Sequence, residues 1–353
     1  MTQHNDHFAL NRPGTLIAAL PAVLGFVPQK SLVLASVVRG DLGAVLRVDL
    51  SEDVIEELDR LAQVVSAGRP EAVIAVIIDA AGARCPMCNE DYRRIAGELS
   101  GTLAGEGIDL WAVHVVDEVS SGGRWHCIDG CGSQGAVDDP ELSPLTAEAV
   151  FEGRRLYATR ADLAAVIAAD DDEPRATALA GLIGELEVAG RRERSEDPDG
   201  CTRRGVLATL DAAVRLASGA VLDDAELAGI GYTLTDILAR DTLYALAIGD
   251  RAGEAETLWA VLTRTLPAPW RVEALVLLAF SAYARGDGPL AGISLDEAMR
   301  CDPGHRMAVM LDTALQSGMR PEKIRQLAQT GYRLAERLGV QLPDRNTYRR
   351  RAG

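Results

Sequence analysis

Four cysteines form two close pairs whose spacing suits metal or redox chemistry. Two residues separate Cys85 from Cys88, and three separate Cys127 from Cys131. Each pair follows a predicted β-strand, so the four thiolates can converge if those strands are neighbours. Zn²⁺ accepts four sulfur ligands at about 2.3 Å in structural sites. We therefore predict a structural zinc site at these four cysteines, with His126 as an alternative fourth ligand.

Two other interpretations of these cysteines stay open. The first is that all four are free thiols that bind no metal, since free cysteine is a common buried residue. The second is a redox pair, because Cys85 and Cys88 lie between a predicted strand and a predicted helix, whose N-terminus would lower a thiol pKa. The rest of the chain lacks other features of thioredoxin. A closed four-thiolate zinc site would leave no coordination position for catalysis.

Four further side chains lie in or directly after predicted strands, where open α/β sheets bind their ligands. They are Asp79, His114, Asp117 and Glu118. Together they are the weak candidates for a catalytic site of a hydrolase or transferase that acts on a small molecule. His114 alternates with apolar residues, so it also fits a buried position within the sheet. No G-x-S-x-G, Walker A or strand-to-helix G-x-G-x-x-G motif identifies a reaction.

The elements that must position these residues are apolar runs of strand length separated by amphipathic helical segments. The predicted strands are Ser31–Val38, Ala44–Leu50, Ala72–Ile78 and Leu110–Val116, with a further short strand at Arg124–Ile128. Strands that alternate with amphipathic helices favour an α/β fold with a largely parallel sheet. The first two of these strands form a predicted antiparallel hairpin, which makes the sheet mixed. We predict a mixed, mostly parallel sheet covered by helices over residues 13–170, after a flexible tail at 1–12.

Beyond the acidic segment Asp170–Pro174 the sequence shows only helical periodicity. We predict a helix-containing linker at 171–204, an all-α tetratricopeptide-like domain at 205–340 and a tail at 341–353. Small residues and a Gly286-Asp287 turn between two helices are typical of tetratricopeptide units. Such repeats present a concave face to other proteins, so we expect a protein partner on this domain.

Length and charge set further limits. A chain of 353 residues suits two domains. Its net charge of −16 repels phosphate backbones and anionic lipid surfaces, so neither nucleic acid nor membrane is expected as a partner. No apolar run reaches the roughly 20 residues that a bilayer requires. The first ten residues lack a basic segment typical of signal peptides, which favours a cytoplasmic protein.

Three parts of the chain resemble a known family. They are PGTLIAALPAVLGFVPQKSLVLASV, then GGRWHCIDGCG followed by SPLTAEAVFEGRRL, and finally AYARGDGPLAGISLDEAMRCDPGHRMA. The most specific run is Leu24 to Leu34, and the resemblance covers most of residues 13–315. The chain is similar to the actinobacterial domain-of-unknown-function 4192 family. This resemblance implies an actinobacterial, cytoplasmic origin and a two-part layout, but no reaction or ligand.

The sequence thus favours a non-enzymatic protein-binding or scaffold module that carries a structural zinc site. The alternative is a small-molecule hydrolase or transferase with its site at the strand ends. Redox chemistry at the cysteine pairs is the third interpretation.

Overall fold

The strands lie in the first half of the chain, and the second half is helical. The computed structural model describes residues 12–151 and 154–345. The chain divides into an N-terminal unit, Met1–Leu163 with Gln316–Gly318, and a helical unit, Ala164–Leu315 with Met319–Gly353.

The elements of the N-terminal unit follow the apolar runs of the sequence. Its strands are β1 (Ser31–Val38), β2 (Asp41–Asp49), β3 (Ala72–Ile78), β4 (Asp109–Val116), β5 (Arg124–Cys127) and β6 (Gln134–Ala136). Its helices are α1 (Pro13–Leu24), α2 (Val54–Ala67), α3 (Pro86–Gly105) and α4 (Pro144–Phe151), with a 3₁₀ turn at Pro140–Leu142. Helix α5 (Arg160–Ala165) lies where the two units divide.

The six strands form one sheet in the order β2-β1-β3-β4-β5-β6. The prediction of a mixed sheet is confirmed, but the prediction that it is mostly parallel is wrong. Among the described strands only β3 and β4 are parallel, and the other four pairings are antiparallel. Helix α3 forms the crossover that parallel neighbours need, whereas short connections join β1 to β2 and link β4, β5 and β6. Strand β3 then pairs with β1 in the antiparallel sense.

Helices cover both faces of the sheet. On one face, Ile77 of β3 packs with Leu58 of α2 and Leu99 of α3. On the other, Ile74 of β3 packs in a cluster with Leu16 of α1. Each such buried side chain contributes about 1.5–3 kcal/mol relative to an exposed one. The alternating faces of β3 and β4 therefore decide which polar side chains can reach α3.

The helical unit contains nine α-helices in its described residues. They are α6 (Glu173–Glu196), α7 (Pro198–Ala217), α8 (Asp224–Leu234), α9 (Ile237–Leu243), α10 (Ala252–Thr265), α11 (Arg271–Arg285), α12 (Gly288–Cys301), α13 (Arg306–Gln316) and α14 (Pro321–Leu338). A 3₁₀ turn covers Tyr244–Ile248. No strand is assigned in this described part of the chain, although Gly249 and Arg345 form an isolated bridge. The predicted linker at 171–204 covers the whole of α6 and the start of α7.

The predicted turn at Gly286 joins two helices that pack closely. Gly286 ends α11 in the left-handed region at φ 92°, which favours glycine. The side chain of Asp287 caps α12 by accepting the backbone N–H of Leu290 at 3.1 Å. Small residues of these two helices, including Ala279 and Ala298, are fully buried. None of the helices in the described ranges combines the length and apolar content needed to cross a bilayer.

The two predicted tails lie mostly outside the described residues. Of the tail at 1–12 only residue 12 is described, and of the tail at 341–353 only residues 341–345 are described.

Candidate functional site

The carboxyl ends of β3 and β4 meet at one edge of the sheet because these strands are parallel. Asp79 follows β3 directly, and Asp117 follows β4 directly. Helix α3 begins shortly after β3, so its N-terminus lies at this edge as well. We call the group at the start of α3 the strand-end site. Its members are Asp79, Cys85, Cys88, Asn89 and Tyr92.

Cys85 is the N-cap residue of α3. Its backbone is extended, and its Sγ accepts a hydrogen bond from the backbone N–H of Cys88 at 3.5 Å. Pro86 follows in the first turn of the helix. Its lack of an N–H costs nothing there, because an N–H at this position has no acceptor within the helix. Both cysteines are free and partly exposed. The positive end of a 20-residue helix therefore faces the Cys85 sulfur.

The two thiols have opposite pKa shifts. Hydrogen bonds from the backbone and side chain of Cys88 lower the pKa of Cys85. The hydrogen bond to Cys85 raises the pKa of Cys88, and burial and the negative charge of Asp79 act in the same direction. Cys85 is therefore the member of the pair that ionises first, while Cys88 keeps its proton.

A carboxylate and a phenol lie behind the cysteine pair. Tyr92 Oη donates a hydrogen bond to Asp79 Oδ2 at 2.7 Å, and the backbone N–H of Ala81 donates to Asp79 Oδ1 at 3.0 Å. Burial opposes ionisation of Asp79, but these bonds and one from the backbone of Gly82 lower its pKa overall. A Cβ at Gly82 would lie 1.9 Å from Tyr92 Oη, so only glycine leaves room for this contact. Asp79 is thus held as a carboxylate.

Asn89 joins the start of α3 to β5. Its Nδ2 donates to the carbonyl oxygen of Cys85 at 2.8 Å and to that of Ala83 at 3.0 Å. Its Oδ1 lies 2.7 Å from His126 Nε2. An amide oxygen only accepts, so His126 donates this bond. The Nε2 of His126, the predicted alternative zinc ligand, is therefore already engaged.

Asp117 holds the connection between β4 and β5. Its Oδ1 accepts the backbone N–H groups of Glu118 at 2.8 Å and Arg124 at 2.7 Å, and its Oδ2 pairs with Arg84 at 2.9 Å. Burial opposes ionisation of Asp117, but these bonds lower its pKa overall. The side chain of Glu118 is exposed. Asp117 thus has a clear structural task, whereas Glu118 faces solvent.

A cavity of about 510 Å³ opens beside the strand-end site. Its lining includes Ala83 and Arg84, which directly precede Cys85, and the rings of Trp125 and His126 from β5. The volume is within the range of small-ligand pockets, about 300–1,000 Å³. A substrate of modest size therefore has room beside Arg84, the residue that precedes Cys85.

His114 lies on the opposite face of the sheet from α3. Its neighbours Val113 and Val115 belong to the core formed with α3, so alternation directs His114 the other way. The ring meets Trp125 edge-on with centroids 5.2 Å apart. Its Nδ1 is buried, and no residue in the described part of the chain forms a hydrogen bond with it. Burial lowers the pKa of His114, so the ring is neutral at pH 7.

Cys127 shares the face of His114. The two residues are directly opposite in the β4–β5 register, whereas His126 is opposite Val115 on the α3 side. After β5 the chain turns so that Cys127, Asp129 and Cys131 come together, with one ligand atom of each within 4.8 Å of the others. These three side chains are close enough to hold one metal ion. Burial raises the pKa of Cys127 to about 12.

The structure therefore keeps the two cysteine pairs as separate clusters. On the α3 side, the backbone N–H of Cys88 donates a hydrogen bond to Cys85 Sγ. Cys127 and Cys131 lie close to Asp129 instead. Among the described residues, the four sulfurs do not form a group whose ligand atoms all lie within 4.8 Å. The four-cysteine zinc site stays a prediction. It would require the end of β5 to rotate so that Cys127 faces α3.

Comparison with known proteins gives one family. A family model described as a domain of unknown function (DUF4192) matches residues 13–322. The chain belongs to the DUF4192 family. No curated protein and no solved structure matches this DUF4192 chain.

Sequence reasoning missed several residues of this DUF4192 protein. Tyr92, Asn89 and Gly82 hold the strand-end site, and Asp129 joins the second cysteine pair. Signals for two of them are present in the sequence. Asn89 directly follows the Cys-x-x-Cys segment, and Asp129 lies midway between Cys127 and Cys131. The partnership of Tyr92 with Asp79 depends on how α3 packs on the sheet, which no local pattern contains.

Proposed function

We propose that the N-terminal unit carries out thiol–disulfide exchange, with Cys85 as the attacking thiolate and Cys88 as the resolving thiol. The observation that carries this proposal is the N-cap position of Cys85, whose Sγ accepts the N–H of Cys88 at the start of α3. A strand, a Cys-x-x-Cys turn and a helix in this order are the arrangement in which a helix N-terminus activates a thiol. Both sulfurs are partly exposed, as exchange requires.

The chemistry balances as two exchange steps. The Cys85 thiolate attacks one sulfur of a substrate disulfide, forms a mixed disulfide and releases the other sulfur as a thiolate that takes up a proton. Cys88 then loses its proton and attacks Cys85 Sγ, which releases the second substrate thiol. The protein pair is oxidised and the substrate is reduced. A second dithiol returns the pair to its reduced state by the reverse steps.

Asp79 lies behind the pair and supports the order of ionisation. The hydrogen bond to Cys85 and, less strongly, burial and the charge of Asp79 raise the pKa of Cys88, so the resolving thiol stays protonated until the mixed disulfide forms. The cavity of about 510 Å³ beside Arg84 offers space for the substrate. We also propose a cytoplasmic location. Free thiols such as these suit the cytoplasm because thiols are kept reduced there.

Redox titration tests this proposal. The metal-free full chain is equilibrated in dithiothreitol buffers of graded potential, and each cysteine is quantified by differential alkylation and mass spectrometry. We expect one reversible disulfide, between Cys85 and Cys88. A Cys201→Ser, Cys301→Ser double variant is the matched control and should show the same midpoint potential. Absence of this disulfide at every potential would contradict the proposal.

A second candidate function is protein binding by the helical unit. We also keep the proposal that α11 and α12 of this unit pair as in a tetratricopeptide repeat. Protein binding is favoured by a groove of about 570 Å³ bordered by α7 and α10. Leu207 and Val214 lie two turns apart on α7 and line this groove, with exposed fractions of 41% and 36%. Arg251 and Glu254 add charges at its rim. Apolar anchors within a charged rim are typical of peptide-binding grooves.

Site-specific crosslinking tests the second candidate. A photo-crosslinking residue at position 207 should give one discrete adduct in an extract of the source cells, and Val214→Asp should suppress it. Val221 is 90% exposed and does not line the groove, so the same crosslinker at position 221 is the control. Equal adducts at both positions would contradict a partner in this groove.

Hydrolase or transferase chemistry at the strand ends stays a prediction with less support. Asp79 and Asp117 are both engaged in hydrogen bonds within the fold, and His114 faces away from α3. These side chains therefore do not converge on one substrate position.

A further inference from the structure

We propose that the turn after β5 binds one zinc ion through Cys127 Sγ, Cys131 Sγ and the Asp129 carboxylate, with the imidazole of His114 as the fourth ligand. This site differs from the predicted four-cysteine site and lies on the other face of the sheet from Cys85. It is independent of the proposed thiol–disulfide exchange.

The turn already brings three ligand atoms together. One atom each from Cys127, Asp129 and Cys131 lie within 4.8 Å of one another. In a tetrahedral zinc site, bond lengths of about 2.0–2.3 Å place ligand atoms roughly 3.3–3.8 Å apart. The turn therefore needs to contract by no more than about 1.5 Å. The backbone N–H of Cys131 donates to Asp129 Oδ1 at 2.9 Å, so the turn is shaped before an ion binds.

The type of donor selects the metal. Two thiolates are soft ligands that favour zinc over magnesium or calcium, which prefer a shell of oxygen atoms. Asp129 and Cys131 are exposed, so an ion can enter from solvent. Cys127 is buried, and its sulfur lies within 4.8 Å of a carboxylate oxygen of Asp129. Zinc would bind between these two atoms.

His114 supplies an independent sign of a missing partner. It is only 6% exposed, and its buried Nδ1 has no hydrogen-bond partner among the described residues, although buried polar atoms nearly always have one. It lies directly opposite Cys127 in the strand register, where Cβ atoms are about 4.5–5.5 Å apart. The ring falls outside the 4.8 Å group, so it must turn toward the ion on binding.

Cys127 and the first cysteine pair lie on opposite faces of the sheet, which argues against Cys85 or Cys88 as ligands of this zinc ion. His126 and Ile128 lie on the α3 side, so Cys127 between them points away from α3. Cys88 packs against the core on the α3 side. A single ion cannot reach both pairs unless β5 loses its register. The ligands of the ion therefore come from β4, β5 and the turn after β5.

Metal titration of the reduced full chain tests this site. Zinc is titrated in competition with a chromophoric chelator, and Co²⁺ is used as a probe because sulfur-to-cobalt charge transfer reports bound thiolates. We expect one zinc per chain and the charge-transfer absorbance of two thiolates. Cys131→Ser should halve that absorbance and weaken zinc binding by at least about tenfold. Asp129→Asn and His114→Phe should each weaken it by a similar factor, and the Phe keeps the ring against Trp125.

Controls separate this site from the alternatives. The Cys201→Ser, Cys301→Ser double variant should bind zinc like the parent chain. A Cys85→Ser, Cys88→Ser double variant should also keep full affinity and absorbance, and loss of half the absorbance there would overturn the proposal in favour of a four-cysteine site. Unchanged affinity in Cys131→Ser would overturn it as well. Cys131 is exposed, so this variant tests binding without disturbing the core, even if His114→Phe fails to fold.

Discussion

The two cysteine pairs have similar spacing but different surroundings. Cys85 and Cys88 begin a 20-residue helix, where a backbone N–H bonds the first sulfur and lowers its pKa. Cys127 ends a strand, and burial raises its pKa to about 12, while Cys131 follows in an exposed turn. A helix N-terminus stabilises a thiolate in advance, whereas a buried strand end requires a cation to do so. The first pair is therefore suited to exchange and the second to metal.

The resolving cysteine gives the largest expected effect. In Cys88→Ser, the Cys85 thiolate should still attack glutathione disulfide, but the mixed disulfide should persist because no second thiol resolves it. In Cys85→Ser no mixed disulfide should form at the strand-end site. Intact-mass spectrometry after mixing metal-free protein with glutathione disulfide measures both outcomes. A stable glutathione adduct on Cys131 alone would reverse the assigned roles.

Alkylation rates compare the two pairs directly. At pH 8 a thiol with a pKa near 12 is a thiolate far less often than an ordinary thiol with a pKa near 9. We expect Cys127 in the metal-free chain to react with iodoacetamide at least about a hundredfold more slowly than Cys85. Time-resolved peptide mapping measures each rate. Comparable rates for the two cysteines would show that their environments do not differ in this way.

Gly82→Ala should disturb the exchange site through packing. The added Cβ would meet Tyr92 Oη at 1.9 Å and Asp79 Oδ2 at 2.7 Å. Such a contact must separate the pair, at a cost of about 2 kcal/mol in the free energy of unfolding. Gly97→Ala is the control, since its added Cβ would meet no described atom within 4 Å beyond the nearby backbone of α3, and Gly97 lies on the exposed surface of that helix. Urea unfolding should show that only Gly82→Ala destabilises, and equal stability of both variants would contradict the packing argument.

Tyr92→Phe should have a smaller, pH-dependent effect. Removing the phenol should cost about 1–2 kcal/mol at pH 7, because the lost bond is to a carboxylate. The pKa of Asp79 is lowered in the folded chain, so its stabilising contribution is present above the unfolded value of 3.8 and is lost as pH falls through the folded value. The difference between parent and variant should therefore shrink below about pH 4. Urea unfolding at several pH values measures this difference, and a constant gap from pH 7 to pH 3 would exclude Asp79 as its source.

Much of the N-terminal unit could be predicted from the sequence because its signals are local. Unbroken apolar runs such as Ala72–Ile78 became buried strands, and the Cys-x-x-Cys turn was placed between a strand and a helix. The direction of the pairings could not be predicted in the same way. It depends on which strand neighbours which, and β3 pairs with β1 rather than with β2.

The surroundings of the second cysteine pair depend on which face of the sheet Cys127 occupies. Whether Cys127 points toward α3 is decided by its register with His114, which is a property of two strands rather than of one segment. The contribution of Asp129 likewise appears only when the turn after β5 folds. Spacing identified the cysteines, but the sheet determines how they group.

The most direct test of the whole account maps the state of each cysteine with and without one equivalent of zinc in a glutathione redox buffer. We expect Cys85 and Cys88 to form their disulfide to the same extent in both samples, while zinc protects Cys127 and Cys131 from alkylation. Zinc protection of Cys85 and Cys88, or a disulfide that joins the two pairs, would contradict it.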